Sequence, residues 1–192
     1  MGTVERLPSY GRCFLCGQRN PQGVKLALYV DGDRVSADFR LSEVFIGYEG
    51  LIHGGMLAGV LDEVMWWAVA WGTGRACLTV EMTVRYKRPA PIGRSYRAVA
   101  WVTKATSRVV EAEAEIWDLE QDAVCTTARG RYYLLSGEKN REALAMLDYT
   151  ECSPQVRYRF LKEVEEPRGE AEQDQGHPFS PREDPARPHE DH

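Results

Sequence analysis

The chain contains short apolar runs and one long apolar stretch. Runs at 24–30 and 34–41 flank the turn residues 31–33, which predicts a β-hairpin. Residues 42–52 are predicted to form a loop. The stretch 54–71 is too long for one strand and lacks proline, so we expect a helix of about five turns, ended by Gly72 and Gly74. Four strand-like runs follow, at 77–88, 95–103, 107–117 and 124–135.

This order of elements predicts an α+β fold. The helix is apolar almost all round, so it has to be covered on most of its surface. Consecutive strands are the segments available to cover it, and together they form an antiparallel layer. We therefore expect a curved antiparallel sheet wrapped around one long central helix.

The chain divides into four predicted segments. Residues 1–23 form an N-terminal segment with a Cys-x-x-Cys turn, and residues 24–135 form the main domain. Residues 136–162 are an extension that could add a short helix. Residues 163–192 carry ten acidic and three basic residues and no Leu, Ile, Trp, Tyr or Cys, which predicts a disordered acidic tail.

Composition excludes several classes of protein. The net charge is −5, of which −7 falls in residues 163–192, so the remainder is nearly neutral and no nucleic-acid partner is expected. The best apolar candidate for a membrane span, residues 56–71, carries Asp62 and Glu63 at its middle, so no membrane partner is expected either. The N-terminus has no apolar secretory core. Five irregularly spaced cysteines fit a reducing cytoplasm.

The two acidic residues of the helix need an explanation. A carboxylate inside a protein is unfavourable unless it has a partner, and no Lys or Arg lies one turn away. Residues on the Asp62 face include Ala58, Gly59 and Trp66, which suits a binding pocket. We therefore interpret Asp62 as a functional group and Glu63 as a carboxylate at an exposed edge of the helix.

A second feature is His53-Gly54-Gly55 at the start of the same helix. Glycines allow close approach of a ligand, and the first N–H groups of a helix are unpaired at the positive end of its dipole, where an oxyanion is stabilised. Gly54 lies eight residues before Asp62, a separation of roughly 12 Å. One small carbonyl group cannot contact both. If both act together, they come from two antiparallel helices of a two-fold dimer.

These residues resemble the hotdog-fold acyl-CoA thioesterases of the PaaI type. The resemblance spans about residues 13–135. It rests on FIGYEGLIHGG at 45–55, a carboxylate nine residues after the histidine at Asp62, TVEMTVRYKRPAPIG at 79–93 and CFLCGQRNPQGVKL at 13–26.

The resemblance implies a hotdog fold, a homodimer or dimer of dimers, and hydrolysis of acyl-CoA to free acid and CoA. It also implies that Asp62 is the general base or the nucleophile. The amides of Gly54 and Gly55 would polarise the thioester carbonyl, His53 would shape the loop, and Thr79 would orient water. Some relatives carry Asn or Gln in the loop before the HGG, whereas this loop has Gly47.

Candidate substrate contacts come from two groups of residues. Arg85, Lys87 and Arg88 belong to a basic run that could bind the phosphates of CoA, although a charged strand that protects a sheet edge explains them equally well. Met65 and Trp66 could line the acyl pocket, with core packing as the alternative.

No metal or cofactor is expected. Structural zinc needs four ligands, and Cys13 and Cys16 have no second close pair in the sequence.

Two rival functions remain at this stage. A hotdog enoyl-CoA hydratase pairs its carboxylate with a histidine that moves protons, and a non-catalytic hotdog protein binds acyl-CoA without hydrolysis.

Overall fold

The computed structural model describes residues 4–165, excluding the side chains of residues 163 and 165. A seven-stranded antiparallel sheet and the long helix α1 (Gly54–Thr73) form its centre. Its strands are β1 (Glu5–Arg6), β2 (Tyr29–Asp31), β3 (Arg34–Phe39), β6 (Cys77–Tyr86), β7 (Tyr96–Ala105), β8 (Val109–Asp118) and β9 (Ala123–Leu134). Their order across the sheet is β1-β2-β3-β7-β8-β9-β6, so β6 lies at one edge.

The predicted hairpin is present but asymmetric. Strands β2 and β3 pair across the turn, with Asp31 opposite Arg34. The first run gives a strand only from Tyr29. Lys25 adopts a left-handed conformation with φ of 60°, and the N–H groups of Val24 and Leu26 donate to the carbonyls of Phe14 and Leu15 instead of to a neighbouring strand. The predicted N-terminal segment contributes β1, which extends the sheet beyond β2.

The predicted loop at 42–52 contains a small unit of its own. A 3-10 helix (Glu43–Phe45) leads into β4 (Ile46–Tyr48), which pairs with β5 (Leu51–Ile52) in a separate two-stranded sheet. β5 leads directly into α1. The loop therefore sets the position at which the helix begins.

Helix α1 packs against one face of the sheet. Nine of its residues are buried, and it contacts β3, β6, β7, β8 and β9. It ends at Gly74, whose φ of 72° is the left-handed cap conformation that glycine adopts without strain. The predicted central helix and the four strands after it are thus confirmed.

Two further helices follow the sheet strands. Helix α2 (Gly137–Ala145) lies where the sequence suggested a short helix, whereas α3 (Pro154–Glu165) was not predicted. Helix α3 packs on the end of α1, and α2 packs on α3. Phe160 of α3 packs edge-on against Trp67, and Arg159 donates a 2.6 Å hydrogen bond to the carbonyl of Trp71. Residues 163–165 are the last turn of α3, and the rest of the predicted acidic tail, residues 166–192, lies outside the described residues.

Across residues 4–165, none of the helices combines the length and the apolar character needed to span a bilayer.

Candidate functional site

The sheet holds the side chain of Asp62 in one orientation. The hydroxyls of Thr79 on β6 and Tyr132 on β9 each donate a 2.9 Å hydrogen bond to Asp62 Oδ1. The other carboxylate oxygen has no hydrogen-bond partner among residues 4–165. Asp62 is partly buried. The result is a carboxylate with one anchored oxygen and one available oxygen.

Sequence reasoning missed Tyr132, which is fully buried. Burial, reinforced by the nearby Asp62 carboxylate, raises the pKa of Tyr132 well above its usual value, so its hydroxyl stays a donor. A signal was present in the sequence. A tyrosine in a core strand needs a partner for its hydroxyl, and Asp62 was the unpaired group facing the sheet.

The start of α1 is built by His53 and its glycines. His53 caps the helix, and its Nδ1 accepts a 2.9 Å hydrogen bond from the Gly55 N–H. A side chain at Gly47 would lie only 2.6 Å from the His53 backbone, so the loop needs glycine there to pass this close. The Tyr86 hydroxyl donates to the Gly54 carbonyl at 2.9 Å. His53 therefore fixes the local geometry at the start of α1.

The two glycine amides are not equivalent. The Gly55 N–H is already used by His53, whereas the Gly54 N–H has no acceptor among the described residues. The Gly54 N–H is one of the first N–H groups of the helix, where the dipole is positive. In this arrangement Gly54 is the amide that can bind a developing oxyanion.

One chain does not bring Gly54 and Asp62 together. An uninterrupted helix separates them by eight residues, roughly 12 Å. Thr79, expected from the resemblance to orient water, contacts Asp62 directly. The described chain therefore offers two separate halves, a held carboxylate and a free amide.

The candidate substrate residues lie in different places. Met65 is fully buried in the core, and the Trp66 indole N–H donates to the carbonyl of Cys77 at 2.8 Å. Arg85 and Lys87 are exposed and line a groove on the outer face of the sheet. Successive side chains of a strand point to opposite faces, and the next residue, Tyr86, points toward α1, where it contacts Gly54. Arg85 therefore points away from α1. Arg88 is exposed beyond the end of β6. Within one chain these cations are not beside Asp62.

The expectation for Glu63 was wrong. Its side chain is partly buried rather than exposed at the helix edge, because the Trp67 indole N–H donates to Oε1 at 2.9 Å and the Cys13 thiol lies 3.5 Å from Oε2. Burial raises the pKa of Glu63 to about 7. The Cys16 thiol hydrogen-bonds to Cys13 and lowers the pKa of Cys13. The N-terminal Cys-x-x-Cys turn thus packs directly on α1.

Comparisons with known proteins agree with this architecture. The thioesterase superfamily profile matches residues 49–125, which include His53, Asp62 and Thr79. The acyl-coenzyme A thioesterase THEM4 of Bos taurus is 25% identical over 138 residues, covering 71% of this chain and 56% of the bovine protein.

Solved structures show the same fold. A thioesterase superfamily protein gives a TM-score of 0.60 at 25% identity, covering 64% of this chain and 60% of its own. The E. coli PaaI protein from the phenylacetic acid degradation operon gives a TM-score of 0.55 at 19% identity, covering 59% of this chain and 82% of its own. This chain thus spans less than two thirds of the bovine relative and of the first of these structures. The predicted hotdog fold is confirmed.

Proposed function

We propose that this chain is a hotdog thioesterase that hydrolyses acyl-CoA thioesters to the free acid and CoA, because the thioesterase superfamily profile matches residues 49–125. The similarity to a bovine acyl-coenzyme A thioesterase supports this choice of substrate class. The odd number and irregular spacing of the five cysteines favour a reducing, cytoplasmic setting.

The observation that carries the proposal is the orientation of Asp62. Two hydroxyls hold Oδ1, and the second oxygen is left for a water molecule or for the thioester itself. A group that acts as base or nucleophile has to be held in place before the reaction, since the cost of ordering it would otherwise add to the barrier. The Asp62 carboxylate meets that requirement.

The Gly54 N–H supplies a partial positive charge that complements the negative charge formed on the substrate. A tetrahedral intermediate places negative charge on the thioester oxygen, and a fixed N–H at a helix N-terminus stabilises that charge. Gly55 contributes indirectly, because its N–H fixes His53. The same hydrogen bond occupies His53 Nδ1, so we assign His53 a positioning role.

We infer that the complete site forms between two chains. Strand β6 carries Thr79, lies at the sheet edge and exposes Leu78 and Val80, which are 36% and 42% accessible. An edge strand with exposed apolar side chains favours pairing with a second strand. Pairing of two β6 edges about a two-fold axis would set two α1 helices antiparallel, with each Asp62 facing the partner chain's Gly54. Two such dimers could pair further.

The chemistry then needs few groups. Asp62 takes a proton from water as the water oxygen attacks the carbonyl carbon, and the Gly54 N–H binds the oxyanion. Collapse of the intermediate breaks the C–S bond and CoA leaves as a thiolate, which needs no strong acid because its thiol has a pKa of about 8.5 by analogy with cysteine. The proton held by Asp62 passes to the thiolate or to solvent, which restores the carboxylate. In the nucleophilic alternative, Asp62 forms an anhydride that water then hydrolyses.

The CoA phosphates are assigned to the basic residues at the end of β6. Arg85, Lys87 and Arg88 are exposed and form no ion pair among residues 4–165. Exposed guanidinium and ammonium groups are suited to phosphate. The acyl-CoA would lie across the β6 edge at which the two chains pair. Its phosphates would then meet these groups on the outer face of the sheet.

The test measures thiol release from short-chain, long-chain and aryl acyl-CoAs. Asp62→Asn should keep the dimer and lower kcat by roughly 100-fold or more, the range that proton transfer by a positioned group contributes. Asp33→Asn is the matched control, since its side chain is 89% accessible. Undiminished hydrolysis in Asp62→Asn would reject the assignment. Enoyl-CoA hydration without thiol release would indicate a hydratase, and saturable binding without turnover a binding protein.

A further inference from the structure

The Cys-x-x-Cys turn and helix α1 bring three metal-ligating groups together. The Sγ atoms of Cys13 and Cys16 and a carboxylate oxygen of Glu63 all lie within 4.8 Å of one another. The two cysteines come from the segment before β2, and Glu63 comes from the middle of α1, fifty residues after Cys13. The proposed hydrolysis uses none of these groups.

The turn is folded so that both sulfur atoms accept backbone hydrogen bonds. The Leu15 N–H points to Cys13 Sγ at 3.2 Å, and the Tyr10 N–H points to Cys16 Sγ at 3.4 Å. Such bonds stabilise sulfur in its thiolate form. A side chain at Gly17 would lie 2.3 Å from the Cys13 carbonyl, so glycine is required for this tight turn.

The carboxylate is positioned from the other side. The Trp67 indole N–H donates to Glu63 Oε1 at 2.9 Å, leaving Oε2 directed at Cys13. This is the arrangement of an outer-shell hydrogen bond that orients a ligating carboxylate. Among residues 4–165, Glu63 forms no ion pair with Lys, Arg or His. A bound cation would therefore stabilise the ionised form of this partly buried carboxylate.

The distances fit zinc. Zinc binds sulfur at about 2.3 Å and carboxylate oxygen at about 2.0–2.2 Å, so a tetrahedral site places these two ligand atoms roughly 3.5 Å apart. The separation of Cys13 Sγ and Glu63 Oε2 is 3.5 Å. Two thiolates and a carboxylate are also a donor set that selects a thiophilic divalent cation over Mg²⁺ or Ca²⁺.

We propose that Cys13, Cys16 and Glu63 bind one Zn²⁺ ion per chain, with water as the fourth ligand. Cys13 is partly exposed, so that position faces solvent. Binding takes both cysteines as thiolates and Glu63 as a carboxylate, so the protons that these groups carry in the metal-free chain pass to solvent, and it fixes the N-terminal segment to α1 one residue from Asp62. The sequence argued against zinc because it shows no second cysteine pair. The missing ligand is a carboxylate that only the fold brings near.

The experiment uses the full chain, reduced and stripped of metal by a chelator. Zn²⁺ binding is measured by competition with a chromophoric chelator, and the coordination by the sulfur-to-metal charge-transfer band of Co²⁺. We expect one ion per chain and a Tm that rises with zinc. Loss of an outer-shell hydrogen bond lowers metal affinity by about 10- to 100-fold. We therefore expect Trp67→Phe to weaken zinc binding by about 10-fold, and Cys13→Ser and Glu63→Gln, which remove ligands, to weaken it by more than about 100-fold.

Cys152→Ser is the matched control, because Cys152 is a partly exposed free thiol outside the cluster and its loss should leave binding unchanged. The proposal is overturned if the stripped chain takes up no zinc, or if Cys13→Ser and Glu63→Gln bind zinc as the wild type does. It is also overturned if the reduced chain forms a Cys13–Cys16 disulfide in air with zinc present, since the pair would then serve redox chemistry. Cys13 and Glu63 are not fully buried, so both variants should fold.

Discussion

Thr79 and Tyr132 lie directly opposite each other on β6 and β9, and both hydroxyls donate to the same oxygen of Asp62 at 2.9 Å. The register of two strands therefore fixes the direction of a carboxylate on a helix. A bulge in β6 follows immediately, between Thr79 and Glu81. The extra residue shifts the inward and outward alternation of side chains in the rest of the strand relative to Thr79. The packing of the sheet and the chemistry of the helix meet at this pair.

Removing the tyrosine hydroxyl should impair catalysis more than folding. In Tyr132→Phe the ring still fills its buried place, while Asp62 loses one of its two donors. We expect kcat to fall about 10- to 100-fold, equivalent to the ~1.5–3 kcal/mol of a hydrogen bond to a charged group. Tyr149→Phe is the control, since that hydroxyl donates to the Leu144 carbonyl away from Asp62. A variant with lower Tm and unchanged kcat would contradict this role.

The threonine hydroxyl can be tested by rescue. Thr79→Val keeps the shape of the side chain but cannot donate to Asp62, so kcat should fall about 10-fold or more. Thr79→Ser keeps the donor and should recover most of the activity. Steady-state kinetics on one acyl-CoA measure both variants. Equal rates for valine and serine would show that the hydroxyl has no part in the reaction.

The sequence predicted the central fold because its signals are local. An apolar stretch bounded by glycines indicates a helix, and four runs rich in β-branched and aromatic residues indicate strands. Helix α3 was missed because it lies among charged residues, and its burial depends on Phe160 meeting Trp67 of α1. Such a contact between distant segments leaves no pattern in either segment alone.

The candidate site was likewise only partly predictable from the sequence. Asp62, Gly54 and His53 stand out in the sequence because a carboxylate in an apolar helix and a glycine pair at its start are unusual locally. Glu63 stands out for the same reason, and Tyr132 is a core tyrosine that needs a partner, but the sequence does not say which groups these two side chains meet. The role of Tyr132 depends on the register between β6 and β9, and the position of Glu63 depends on a turn fifty residues earlier in the chain.

Asp118 should make stability depend on acid pH. Burial opposes its ionisation, but a 2.9 Å hydrogen bond from Arg94 and two from the N–H groups of Glu120 and Gln121 outweigh it, so the pKa of Asp118 lies below its usual value. Its stabilising contribution is therefore present above the unfolded pKa of about 3.9 and is lost as the pH falls through the lower folded pKa.

Asp118→Asn should accordingly lower the free energy of unfolding at pH 7, and the difference from wild type should shrink below about pH 4. Urea unfolding at a series of pH values measures both effects. Asp33→Asn, with its side chain 89% accessible, should change neither. A gap that stays constant down to pH 2 would mean that the loss in Asp118→Asn comes from packing rather than from charge.

Mixed dimers decide whether Asp62 and Gly54 act across the interface. Asp62→Asn removes the carboxylate, and Gly54→Pro removes the N–H at the first helical position, where proline is tolerated. Each homodimer should be inactive. A heterodimer isolated through two different tags keeps one intact site, because the Gly54→Pro chain supplies Asp62 and the Asp62→Asn chain supplies Gly54, so it should show about half the wild-type rate. Gly54→Ala keeps the N–H and controls for the added carbon, which lies 3.3 Å from the Tyr86 ring. If each site were formed within a single chain, each of the two sites in the heterodimer would carry one defect, and the isolated heterodimer would hydrolyse no thioester.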